Sequence, residues 1–114
     1  MRTTTEVVHD HLMRRLEGDL DADLRNYASD IVLLTGSGVY RGHEGVRACA
    51  AELDRLVGSG TFTYAETVID GDYGFLEWTA DHEDSMVRDG ADSFVIQNGA
   101  IVMQSIHYTV RSRE

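Results

Sequence analysis

Two dipeptides, Asp70-Gly71 and Asn98-Gly99, constrain this chain more than anything else in it. Each stands between long runs rich in valine, isoleucine, threonine and aromatic residues. Both central positions of a type I′ turn need positive φ, which aspartate or asparagine followed by glycine supplies. The runs cover residues 61–69, 73–83, 85–97 and 100–111, so the second half of the chain reads as a meander of long antiparallel strands. Asp89-Gly90 has the same composition, but a turn there leaves only a stub at 85–88, and it is assigned to a glycine bulge inside one long, bent strand. The chain has no proline, so its turns fall to glycine with aspartate or asparagine.

Helical spacing precedes the strands. Over residues 4–17 the stripe Val8, Leu12, Leu16 recurs every fourth position with Val7 and His11 beside it, and Gly18 ends the pattern. Asp19 then caps a second helix that runs to about residue 28 through Leu20, Leu24 and Tyr27, with Asp21 and Asp23 near the positive end of its dipole. Residues 31–35 and Val39-Tyr40 form a small hairpin. Val46, Cys49, Ala50, Leu53, Leu56 and Val57 then mark one face of a third helix over 44–57, closed by Gly58 and Gly60. Helices followed by a meander give an α+β fold in which three N-terminal helices cover one face of a curved sheet.

With 114 residues the chain is expected to form one domain over 1–114 and to bury a core without disulfide or metal support. Its net charge of −10 argues against nucleic acid or an anionic membrane as partner, and Arg111 and Arg113 read as a solvated tail. The single cysteine, Cys49, allows no internal disulfide, and the first ten residues lack the apolar stretch of a signal peptide. A soluble, cytoplasmic protein is expected.

The strand over 73–83 alternates so that Leu76, Trp78, Ala80 and His82 face inward, which makes Trp78 a wall of any internal pocket as well as a core residue. Asp92 shares a face with Phe94 and Ile96, so a carboxylate is aligned with side chains that must point inward. It can be a functional acid, or it can cap the bulge beside Gly90. The five histidines show no metal-ligand spacing, and Gly36, Gly38 and Gly42 do not build a phosphate loop, so neither metal nor cofactor is expected. Cys49 lies on the buried stripe of its helix and reads as core.

The order of elements, with the segments Gly18-Asp19-Leu20-Asp21, residues 38–47 (GVYRGHEGVR) and residues 92–102 (DSFVIQNGAIV), resembles the nuclear transport factor 2-like superfamily, and within it the SnoaL-like and ketosteroid-isomerase-like bacterial proteins. The resemblance implies a cone. A mixed, mostly antiparallel sheet wraps the helices, a pocket opens at the wide end, and the outer sheet face pairs two subunits. It places Asp92 where isomerase-like members carry a protonated aspartic acid that hydrogen-bonds a developing oxyanion. It places His11 where they carry a tyrosine donor; a histidine there can serve as donor or as acid and base, or simply bond a backbone carbonyl. On the last strand it turns Val102, Gln104, Ile106 and Tyr108 inward, with Gln104 and Tyr108 as ligand partners, and Ile101, Met103, Ser105 and His107 outward. Tyr27 and Asp30 fall near the mouth at the end of the second helix.

Two residues depart from the family's known chemistries. Thr35 stands where the isomerase-like general base, an aspartate, is expected, and Gly90 stands where epoxide-hydrolase-like members have an arginine. The expectation is therefore a pocket for a small, hydrophobic carbonyl or hydroxyl compound. Asp92, His11 or His82 would serve acid/base isomerisation, cyclisation or hydration, and Tyr27, Trp78, Phe94, Gln104 and Tyr108 would line the ligand. The alternatives are a binding module without catalysis and a dimeric interaction protein whose pocket is filled by its own side chains.

Overall fold

The computed structural model describes residues 1–58 and 60–113; Ser59 and Glu114 lie outside the described residues. Helix α1 (Thr4–Glu17) begins from a reciprocal cap, in which Glu6 N–H donates to Thr3 Oγ1 at 3.1 Å and Thr3 N–H donates to Glu6 Oε1 at 2.8 Å. Such a cap is worth about 1 kcal/mol. Gly18 ends the helix in the left-handed region at φ 72°. The buried line on α1 is Val7, Val8 and His11, and Leu16 is 64% exposed, so the helix is rotated from the expected Val8, Leu12, Leu16 stripe. The reason is polar: His11 has a carboxylate partner inside, which makes its burial affordable.

Asp19 Oδ1 accepts from Ala22 N–H at 3.0 Å and starts α2 (Leu20–Asp23), which tightens at once into a 3-10 turn (Leu24–Asn26). The second helix is thus shorter than its spacing predicts. Strand β1 (Tyr27–Thr35) starts at Tyr27, four residues before the expected residue 31, because Tyr27 already pairs with Ile101 across the sheet. Strand β2 (Gly38–Arg41) returns antiparallel to β1, and α3 (Gly42–Val57) follows, burying Val46, Cys49, Leu53 and Val57 as its spacing predicts.

The meander comprises β3 (Thr61–Tyr64), β4 (Val68–Asp70), β5 (Tyr73–Asp81), β6 (Ser85–Gln97), β7 (Ala100–His107) and β8 (Arg111–Ser112). The run 61–69 is interrupted at 65–67, and both of its parts pair with β5; the last run breaks into β7 and β8. Among the described residues the sheet has eight strands, with the path β2-β1-β7-β6-β5-β3. Only β1 and β7 pair in parallel; the other neighbours are antiparallel, so the sheet is mixed and mostly antiparallel as expected.

The Asn98-Gly99 turn has the expected two positive φ values, 54° and 74°. The other turn differs. Asp70 pairs with Tyr73, so Gly71-Asp72 are its central residues, and only Gly71, at φ 57°, is positive. This is the pattern of a turn with glycine in the first central position rather than type I′.

Strand β6 runs unbroken through Asp89-Gly90, with one extra residue opposite Thr79, which is the expected bulge. Gly90 itself has no positive φ. A β-carbon there would sit inside the indole of Trp78, so glycine is required by close packing. A second bulge, where Val95 pairs with Met103 but Ile96 with Ile101, turns Ile101 into the core against expectation, while Gln104 keeps its inward place.

Candidate functional site

Inside the wrap of the sheet, two polar clusters are buried among Val7, Leu76, Phe94 and Ile96. The first hangs from α1. His11, only 4% exposed, meets Asp23 with Nδ1 at 2.8 and 2.9 Å from the two carboxylate oxygens. An ionised carboxylate accepts only, so Nδ1 carries the proton and, in the neutral ring, Nε2 carries the lone pair. Asn26 Nδ2 donates to Asp23 Oδ1 at 3.1 Å and to Asp10 Oδ2 at 2.8 Å, and Arg2 donates to Asn26 Oδ1 at 2.6 Å. This chain of partners fixes the imidazole, whose ring is set edge-on to Phe94 and Tyr27 at centroid distances of 5.5 and 5.8 Å. Nε2 has no hydrogen-bond partner among the described residues. Among the described residues no sealed side-chain nitrogen or oxygen lacks a partner, so Nε2 retains accessible surface.

The second cluster is centred on Asp92, which is 8% exposed. Trp78 Nε1 donates to Oδ1 at 2.9 Å, Gln104 Nε2 donates to Oδ2 at 3.1 Å, and Tyr27 Oη donates to Gln104 Oε1 at 2.6 Å. Burial pushes the Asp92 carboxyl above the usual range, and the indole, the nearby His11 and the Gln104 amide oppose that rise without cancelling it. Burial likewise raises the Tyr27 hydroxyl well above the ordinary tyrosine value and pushes the Cys49 thiol up to about 11, so Cys49 is a core residue and no nucleophile.

The structure therefore gathers His11, Tyr27, Trp78, Asp92, Phe94 and Gln104, and Tyr108 joins them half-buried with its ring 5.9 Å from that of Trp78. Tyr27 belongs to β1 and not to a helix end, and Asp30 is exposed. His82 is not among them. It lies past the end of β5, in the turn before β6, with its ring against Gly58 and its Nδ1 accepting from Asp84 N–H at 3.5 Å, because β5 stops at Asp81 and the alternation stops with it. His107 is exposed and pairs with Asp89 at 3.3 Å.

A cleft of about 670 Å³ opens beside this core and not around Asp92. It runs between the C-terminal turns of α1, α3 and the start of β3. Arg15, Leu16, Leu53 and Phe62 line it, and none of the expected wall residues does. The expected lining is corrected accordingly: Asp92 and its partners bond to one another under the cleft floor. The link is aromatic, since Phe62 of the floor stacks near Tyr64 at 6.3 Å and packs on Trp78 at 5.6 Å.

Asp23 is the site residue that reading the sequence missed. A signal was present, because Asp23 falls at the same helical spacing as Leu20 and Tyr27, placing an acid on an apolar face just as Asp92 does. Among the described residues no three histidine, cysteine, aspartate or glutamate side chains gather as metal ligands, and no helix is long and apolar enough to cross a membrane.

Residues 8–104 match the sequence profile of the SnoaL-like domain. Solved structures share the fold at low identity. A nuclear transport factor 2-like protein of unknown function from Burkholderia pseudomallei is 16% identical, with a TM-score of 0.80 over 96% of this chain and 92% of that one. A candidate SnoaL-like polyketide cyclase from Mesorhizobium loti is 19% identical, with a TM-score of 0.72 over 94% and 100%. A candidate polyketide cyclase from Sinorhizobium meliloti is 18% identical, with a TM-score of 0.71 over 89% and 93%. No curated protein matches by sequence.

Proposed function

Because the chain belongs to the SnoaL-like domain family within the nuclear transport factor 2-like superfamily, we propose that it takes up a small, largely apolar carbonyl compound and moves a proton on it, as an isomerisation, cyclisation or hydration requires. One observation carries this reading: His11 is clamped by Asp23 at Nδ1 and left open at Nε2, in the same core as a carboxyl whose burial favours its protonated form. The open nitrogen takes a proton from the carbon next to the carbonyl, and the electron pair moves onto the carbonyl oxygen. Asp23 stabilises the imidazolium so formed, and protonated Asp92 donates to the developing enolate oxygen, held in place by Trp78 and by Gln104 with Tyr27. Return of the proton to carbon or oxygen completes the step.

Proton exchange tests this without knowledge of the natural substrate. Acetophenone, 2-acetylnaphthalene and 1-tetralone are incubated in D₂O with the protein, and loss of the α-proton signal is followed by NMR. The expected result is exchange proportional to protein concentration, reduced roughly 100-fold or more in His11→Gln, the range of general acid–base catalysis. Exchange no faster than in buffer, with the ketones still bound, leaves the second reading, a carrier or sensor. That reading is favoured by Asp92 having both oxygens already bonded within the protein.

We also propose that two copies pair through the outer sheet face. Two cross-strand rows support this, Val32, Met103, Val95, Tyr73 and Leu34, Ser105, Ser93, Phe75, Val68, in which Leu34, Tyr73, Phe75 and Val68 are exposed apolar side chains. Sedimentation at micromolar concentration should show a dimer that Phe75→Glu converts to monomer, and a monomeric parent protein refutes the pairing.

A further inference from the structure

We infer that the cleft beside α1 and α3 is built to receive a singly charged organic anion with a ring-bearing body, and that Arg15 holds its carboxylate. Three arginines line the cleft, and two of them are already neutralised: Arg14 pairs with Asp10 at 3.3 Å and Glu17 at 3.1 Å, and Arg47 pairs with Asp21 at 2.7 Å. Arg15 is half-buried and, among the described residues, has no ion pair; its hydrogen-bonding neighbour, the Tyr64 hydroxyl, is neutral and leaves its charge unbalanced. The chain has twenty acidic residues against ten basic ones, so this is not for want of acids. A planar guanidinium with five donors matches a carboxylate in two-point contact.

The surroundings select the rest of the ligand. Leu16 offers an exposed apolar side chain to the cleft, and Leu53 and Phe62 supply an apolar and aromatic floor. Glu17, Asp19 and Asp54 line the same space, so a polyanion such as a nucleotide meets repulsion while one negative charge on Arg15 is balanced. The volume lies within the span of roughly 300–1,000 Å³ that small-molecule sites occupy. Arg15 also stands one helical turn beyond His11 on the same face of α1, and its charge reaches inward, where it opposes the burial-driven rise at Tyr64, Tyr27 and Asp92. The inference rests on the reading of the domain as a binder of small organic molecules and adds the charge of what it binds.

The test titrates the full chain, followed by amide NMR, with 2-naphthoate and with its uncharged analogue 2-acetylnaphthalene. Naphthoate should bind about 10-fold tighter at low salt, as one charge-assisted contact provides, with shifts centred on Leu53 and Phe62. Arg15→Gln should abolish that preference by weakening naphthoate alone, and Arg15→Lys should keep part of it. Equal affinities, a preference that survives Arg15→Gln, or shifts centred away from the cleft overturn the inference while leaving the pocket reading in place. Binding of neither probe overturns both.

Discussion

The His11 cluster and the Asp92 cluster share one apolar core and differ in what they leave unbonded. Asp92 accepts from Trp78 and Gln104, and Gln104 is held in turn by Tyr27, so each polar atom of that group is spoken for by a neutral donor or acceptor. His11 is held as firmly, by the two oxygens of Asp23 with Asn26, Asp10 and Arg2 behind them, yet Nε2 stays open. The first arrangement resembles an internal brace whose carboxyl burial pushes above the usual range; the second pairs a carboxylate with a ring that can accept a proton. In the proposed reaction, the nitrogen with no partner is therefore the one that takes the proton, and the buried carboxyl is its complement.

The sharpest way to break the comparison is to remove Asp23. In Asp23→Ala the His11 Nδ1–H is left without an acceptor and Asn26 loses one of its two, both in buried surroundings. Removing one partner of a buried ionic pair costs about 3–5 kcal/mol, so urea denaturation should show a loss of at least about 3 kcal/mol with unchanged m-value. A loss of about 1 kcal/mol, the size of one ordinary hydrogen bond, means that the His11 cluster is no more than a second brace.

That contrast was only partly legible in the sequence, and the reasons are physical. The strands and α3 follow from period-two and 3.6-residue patterns because their inward positions are filled by apolar residues, as in Leu76, Trp78, Ala80 and in Val46, Cys49, Leu53. Asp92 stood out for the same reason, as the one acid in such a row. The rotation of α1 did not follow, since a buried histidine scores as polar until its partner is known, and Leu16 takes the outward, cleft-lining place that the stripe assigned to the core. Asp23 was hidden behind a competing explanation, the helix dipole, which is satisfied equally by Asp21 beside it. Bulges are the other blind spot. One extra residue at Val102 reverses the side on which Ile101 lies, and no local preference in that stretch announces it. The cleft itself arises where three elements meet, so its lining is a tertiary property that no single run of residues encodes.

The smaller and more discriminating test keeps the shape of Asp92 and removes its charge. In Asp92→Asn the Trp78 indole still finds an acceptor, and Gln104 can turn its amide to accept from the new one while the Tyr27 hydroxyl accepts in place of donating, so the cost in contacts is about 1 kcal/mol or less. The pH dependence works in the other direction. The folded-state pKa of Asp92 is raised, so the folded protein holds this proton more tightly than the unfolded chain, and the stabilisation it brings is complete below the ordinary value of 3.8 and is lost as pH rises towards the folded-state value. Asp92→Asn cannot lose it. The stability of the variant relative to the parent should therefore rise with pH from about pH 4 upward, as read from urea midpoints at successive pH values with equal m-values. A difference that is flat with pH means that the two donors on Asp92 offset its burial in full; the carboxyl is then an ordinary anion, and the brace contributes nothing to an oxyanion.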